Sequence, residues 1–254
     1  MPYSVAFRTI LFKEIHRFVR IWPQTLLPPV VTTSLYFLIF GQLIGQRIGE
    51  MGGVSYIQYI VPGIVLMSVI TNAYGNVVAS FYSTKFQRHI EELLIAPVPN
   101  WVILAGYVCG GLTRGLAVGS IVLGISALFV SIHIADLPVV VSVSFLTALL
   151  FSLAGFLNAV FANSFDDISI IPNFVLTPLV YLGGVFYSIG MLPEPWQSLS
   201  LGNPILYMIN AFRYGFIGVS DVDLSHAFGV VSGFISVLII SCLVVLQRGT
   251  GIKS

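Results

Sequence analysis

The chain has 254 residues, of which 57% are hydrophobic and 8% charged, against roughly a quarter charged in ordinary soluble domains. Its mean hydropathy is +0.97. The 11 Lys and Arg and 10 Asp and Glu are too few to clothe a water-facing surface, and a net charge of +1 without a basic run argues against a nucleic-acid partner. The composition points to an all-α integral membrane protein forming a single domain over 1–254.

Residues 3–20 read as an amphipathic helix. At about 100° per residue, Phe7, Leu11, Ile15 and Phe18 share one face, while Lys13, His16, Arg17 and Arg20 lie opposite. Such a helix suits the membrane plane. The same charges, with Arg8 and Glu14, interrupt any apolar leader, so no cleavable signal peptide is expected. Uncharged stretches follow at 21–46, 51–84, 137–165, 168–193 and 224–247, each longer than the ~20 residues that cross a bilayer. Residues 101–130 hold one charge, Arg114, and read as a single long helix with Arg114 towards one end, near the cytoplasmic boundary. Six spans result: 23–44, 57–81, 102–130, 139–161, 168–190 and 225–246.

Charge distribution orients them. With the N-terminus inside, cytoplasmic segments carry Arg8, Lys13, Arg17, Arg20, Lys85, Arg88, Arg248 and Lys253, and outer loops only Arg47 and Arg213. Both termini are then cytoplasmic.

Two polar rows stand out. Ser68, Asn72, Asn76 and Ser80 recur at every fourth position, with Thr71, Tyr74 and Gly75 nearby. Asn173, Thr177 and Tyr181 repeat the spacing on the fifth span, beside Pro172 and Pro178. Each row drifts by only about 40° per step. Such rows face a wet cavity or glue helices together. On the third span, Gly106, Gly110, Gly111, Gly115 and Gly119 suit close helix packing.

Between spans two and three, residues 85–97 suit a short helix stopped by Pro97 and Pro99. Lys85, Arg88, Glu91 and Glu92 stand beside Ile90, Leu93 and Leu94, a charged helix with an apolar edge suited to docking. Asp166 and Asp167 fit a helix N-terminus. Residues 193–216 break at Asn203-Pro204 and carry Trp196, Tyr207 and Arg213; they read as two short re-entrant segments forming an outer lid. Cys109 and Cys242 lie far apart in apolar sequence, and His16, His89, His133 and His226 in separate segments, so neither a disulfide nor a metal site is indicated. The chain has no phosphate-binding GxxxxGK[ST] loop and no acid within a predicted span. It is not expected to be an enzyme, and a translocator of this kind must borrow its energy. An ion-coupled carrier or a membrane-embedded transferase remains the alternative.

Several segments together resemble the membrane permease subunits of type-2 ATP-binding-cassette exporters over essentially the full length. They are the N-terminal helix, Ile90-Glu-Glu-Leu-Leu-Ile-Ala-Pro-Val-Pro99, Phe165-Asp-Asp-Ile-Ser169, Leu182-Gly-Gly-Val-Phe-Tyr187 and Asn203-Pro204 through Arg213. The resemblance implies a permease homodimer in a bacterial inner membrane, among membrane lipids, with one cytosolic ATPase subunit under each protomer. It implies no cofactor in this chain, the ATP and Mg being bound by the partner ATPase. It makes 85–97 a coupling helix, placing Lys85, Arg88, Glu91, Glu92, Leu93 and Pro97 at the ATPase. Ser68, Asn72, Asn76, Asn173, Thr177 and Tyr181 would line the pathway, and Trp196, Asn203, Pro204, Tyr207 and Arg213 would form the outer gate. Weakly polar rows on an apolar background suit an amphipathic or lipid-like cargo.

Overall fold

The computed structural model describes residues 3–251; Lys253 lies outside them. An N-terminal helix α1 (Tyr3–Arg20) leads into α2 (Trp22–Tyr36), which continues through a π-helical segment, Phe37–Ile44, into α3 (Gly45–Ile48). Two short strands the sequence had not announced, β1 (Glu50–Met51) and β2 (Val54–Ser55), pair antiparallel. Gly52 and Gly53 turn the hairpin at φ +61° and +79°, a region open to glycine. The long helices α4 (Tyr56–Phe86), α6 (Asn100–Phe129) and α7 (Leu137–Phe161) follow, with the short α5 (His89–Ile95) between the first two. Then α8 (Asp167–Ile171) runs through a π segment, Pro172–Leu176, into α9 (Thr177–Leu182); α10 (Glu194–Leu201), α11 (Pro204–Ile217) and α12 (Leu224–Arg248) complete the chain.

Among the described residues, five helices are long and apolar enough to cross a bilayer: Trp22–Ile48, Tyr56–Phe86, Asn100–Phe129, Leu137–Phe161 and Leu224–Arg248. The segment predicted as a span at 168–190 is helical only over Asp167–Leu182. Gly183 and Gly184 end it, the latter at φ +79°. Inside that helix Pro172 has no N–H, which orphans the Ile168 carbonyl. The Asn158 amide donates to that carbonyl at 3.3 Å, and Thr177 Oγ1 donates to the Pro172 carbonyl at 2.9 Å.

α4 is the central rod, packed against α6, α7 and α11. The glycines of α6 explain how closely these helices approach. A Cβ at Gly115 would fall 2.8 Å from the Ala73 Cβ, and Val69 and Val77 press on Gly119 and Gly111. Four-residue ridges of α4 thus sit in a glycine groove. A second groove, Gly106 and Gly110, receives Ile10 and Glu14, and a Cβ at Gly110 would lie 2.6 Å from the Glu14 Cβ. With Tyr3 edge-on to Trp101 at 6.3 Å, α1 runs beside the first half of α6 in register.

The buried face of α1 is turned part of the way from the one periodicity picked out: Phe18 belongs to both, and Phe7, Leu11 and Ile15 are half-buried. Ile10, Glu14 and Phe18 are buried, and Arg17, expected on the outer basic face, turns inward. Its guanidinium donates to Glu14 Oε2 at 3.1 Å, and to the Asn76 carbonyl and Oδ1 at 3.0 and 2.8 Å. The reason is mutual satisfaction: a buried carboxylate and a cation neutralise each other over two amide acceptors.

Apolar side chains exposed along α2, the α8–α9 helix and α12, such as Leu27, Val31, Phe174, Val237 and Ile240, suit contact with lipid or another helix.

Candidate functional site

Among the described residues, two cavities flank the middle of α4. The first, of about 280 Å³, lies between α2, α4 and α6, with Gln24, Thr32, Ser68, Thr71, Asn72 and Arg114 among its walls. The second, of about 220 Å³, lies between α4 and the α8–α9 helix, with Thr71, Tyr74, Asn173, Thr177 and Tyr181. They share Met67 and Thr71 as a common wall. Tyr36 of the first and Tyr181 of the second meet hydroxyl to hydroxyl at 3.4 Å, linking α2 to α9.

The predicted polar rows therefore divide. Ser68 and Asn72 face the first cavity, and Asn173, Thr177 and Tyr181 the second. Asn76 faces neither: it is fully buried and held by Arg17. Ser80 is drawn the same way, donating to Glu14 Oε1 at 2.5 Å. Arg114 is also displaced from expectation. It stands in the middle of α6 (Asn100–Phe129) rather than towards one end, a position that the predicted span of 102–130 already implied. There it donates to Asn72 Oδ1 at 3.3 Å and borders the first cavity. Gln24, Thr32 and Tyr36 were overlooked, although their four-residue spacing on α2, through Pro28, is the signal already used on α4.

At one end of the bundle lie the α4–α5 turn, α5 and the α7–α8 turn. The docking helix predicted over 85–97 is shorter, because α4 continues through Lys85 to Phe86 and turns at Arg88. Arg88 adopts φ +60°, the left-handed conformation that ends a helix, at a cost of about 1–2 kcal/mol in a non-glycine residue. Lys85 is not free for a partner. Its Nζ donates to the Val160 and Ala162 carbonyls at 2.7 and 2.8 Å, satisfying the orphan acceptors at the end of α7. Arg88, Glu91, Glu92 and Pro97 are exposed, Leu93 is half-buried, and Ile90 anchors the helix inward. Nearby, Ser164 and Asp167 form a reciprocal cap: the Asp167 amide donates to Ser164 Oγ, and Asp167 Oδ2 accepts from the Asn163 and Ser164 amides. The Asn163 amide above all, with Ser164 adding, holds the Asp167 carboxyl below the usual aspartate range.

At the opposite end, two short helices, α10 and α11, join at Gly202-Asn203. Asn203 caps α11 by accepting from the Ile205 amide at 3.0 Å and ties it to α9 by donating to the Leu179 carbonyl at 2.6 Å. Pro204 takes the first helical position, where its missing N–H does no harm. Tyr207 donates to the Leu201 carbonyl at 2.7 Å. Arg213, expected as an outer-surface anchor, is buried. It lies 4.0 Å over the Tyr59 ring and donates to the Gly184 carbonyl at 2.6 Å, clasping α11 to α4 and to the turn after α9. Trp196 is half exposed and stands apart from this cluster.

Crossing-length helices, cavities between them with polar groups in their walls, and an exposed short helix, α5, suit a membrane transport subunit. Residues 5–217 match the family described as ABC-2 type transporter, and the chain belongs to that family. It is 60% identical over 252 residues to the inner membrane transport permease YadH of Escherichia coli strain K12, covering 99% of this chain and 98% of that protein. It is 24% identical over 215 residues to nodulation protein J of Rhizobium leguminosarum bv. viciae, covering 84% of this chain and 83% of that one.

Proposed function

We propose that this chain is the membrane half of an ATP-driven exporter in a bacterial inner membrane. It works as a homodimer with one cytosolic ATPase subunit, which binds the ATP and Mg, under each protomer. Six crossings are counted by including the shorter α8–α9 helix, with both termini cytoplasmic. α1 sits at the inner boundary, turning Phe12 and Val19 outward to the headgroups. The α10–α11 pair dips back from the outer side as the gate. The cargo is amphipathic, matching polar cavity walls on an apolar background.

One observation carries this reading: a single helix, α4, walls both cavities and leads directly into the exposed Glu91 and Glu92 of α5. Closure of the ATPase pair on ATP displaces α5, and the displacement biases the cavities towards the outer side. Hydrolysis resets them. The bias cannot exceed the difference in binding free energy between the two states. Arg88, Glu91, Glu92 and Pro97 form the contact surface and Leu93 its apolar edge, while Lys85 braces it through α7.

Co-purification with the ATPase and reconstitution into liposomes test the proposal. Glu91→Ala with Glu92→Ala is expected to lower ATPase assembly or coupled turnover while membrane insertion stays intact. Asn72→Ala or Asn173→Ala is expected to change the stimulation of ATP turnover by cargo. Transport driven by an ion gradient with no ATPase present would overturn the reading.

A further inference from the structure

We infer that the cavity between α2, α4 and α6 holds the anionic head of an amphiphile, with Arg114 as the residue that recognises it. The inference deepens the transport reading and rests on that cavity being part of the cargo path.

Arg114 is a cation in the middle of a crossing-length helix. A charge carried within a membrane-crossing bundle is costly, so a purely structural arginine there needs a counter-charge or another partner for its guanidinium. The other inward-turned arginines are provided for: Arg17, in the helix beside it, pairs with the buried Glu14 at 3.1 Å, and Arg213 lies 4.0 Å over the Tyr59 ring and donates to the Gly184 carbonyl at 2.6 Å. Arg114 has neither a carboxylate nor a ring. Its hydrogen-bond partner among the described residues is the neutral Asn72 Oδ1 at 3.3 Å, its Nε is buried without a partner, and no carboxylate lines the cavity. Glu14 is already committed to Arg17 and Ser80. The cavity therefore carries an uncompensated positive charge, with amide and hydroxyl groups of Gln24, Thr32 and Asn72 around it. An ionised phosphate, sulfate or carboxylate head supplies the missing charge, and apolar tails suit the exposed aliphatic flank of α2 at Leu27, Val31 and Leu35.

The test uses the full-length permease in nanodiscs of equimolar phosphatidylcholine and phosphatidylglycerol, reading the lipid retained on the protein by native mass spectrometry. A charge-assisted contact to arginine corresponds to about a tenfold preference, so phosphatidylglycerol should be enriched by about that factor over the bulk ratio. Arg114→Gln should abolish the enrichment and Arg114→Lys keep most of it. Asn72→Asp, which places a carboxylate against Arg114 and leaves the cation in place, should abolish it as well. Enrichment that is absent in the native chain, or that survives both Arg114→Gln and Asn72→Asp, overturns the assignment. Displacement of phosphatidylglycerol by excess inorganic phosphate would assign the site to a free anion and overturn the amphiphile. Binding here requires no ATPase. If enrichment fails while the Glu91 and Glu92 substitutions still uncouple ATP turnover, the transport reading stands and only the anionic head is lost.

Discussion

At the scale of single residues, the Glu14–Arg17 pair is the most exacting arrangement in the molecule. Glu14 is fully buried, and the Arg17 side chain is 29% exposed. Removing one partner of a buried pair leaves a charge stranded in low dielectric, so Arg17→Gln should cost about 3 kcal/mol, the lower end of the usual range given that exposure. Arg17→Gln combined with Glu14→Gln should cost less than Arg17→Gln alone, and unfolding of the four variants in detergent checks this. Ser164→Ala, which removes a helix cap, should cost about 1 kcal/mol by the same measurement. The neighbouring Asp167 carboxyl holds its proton less tightly in the folded chain than in the unfolded one. Its contribution is thus present above the ordinary aspartate value of about 3.9 and lost as pH falls below it. The stability gap between the native chain and Asp167→Asn should accordingly be open at neutral pH and closed in acid.

Among the helices, the two glycine grooves of α6 separate what each face does. Gly110→Val pushes against the stem of Glu14, whereas Gly115→Val pushes against the backbone of α4. Overpacking typically costs about 1–3 kcal/mol. Gly110→Val should expose α1 to limited proteolysis while α4 and α6 stay together, and Gly115→Val should destabilise the whole bundle. Helix positions were legible because apolar runs bounded by Pro, Gly and charge set them locally. The α6 boundaries, 102–130 predicted against Asn100–Phe129 found, depend on nothing distant. The face of α1 was legible only in part: Phe18 was assigned to it, but the inward turn of Glu14 and Arg17 depends on Asn76 and Ser80, far along the chain. A period alone assigns Arg17 to water. The spacing of Ile10, Glu14 and Arg17, each about one turn from the last, did carry the signal, once an acid and a base are allowed to be buried together. The place of Arg213 depends on Tyr59 and Gly184, which no local pattern connects to it. The cavity residues of α4 and α9 emerged from spacing, yet the same spacing also included Asn76, which only the packing of α1 removes.

Across the whole molecule, α5 is joined to the cavities by one stretch of α4, between Asn72 and Phe86. Ala79 lies within it, half-buried. Ala79→Gly weakens the helix by about 1 kcal/mol without touching either cavity wall or α5. Under the proposed function, the ATPase should still bind this variant, while stimulation of ATP turnover by cargo should decrease.

The two-sided duty of the α4 row has a mechanical consequence. Asn76 and Ser80 are gripped by the N-terminal helix, while one turn higher Asn72 and Ser68 border open space. A rod gripped on one edge by α1 and packed by α6, α7 and α11 cannot spin in place. Under the proposed function, a thrust from α5 would therefore reach Thr71 as a displacement of the wall that the two chambers share.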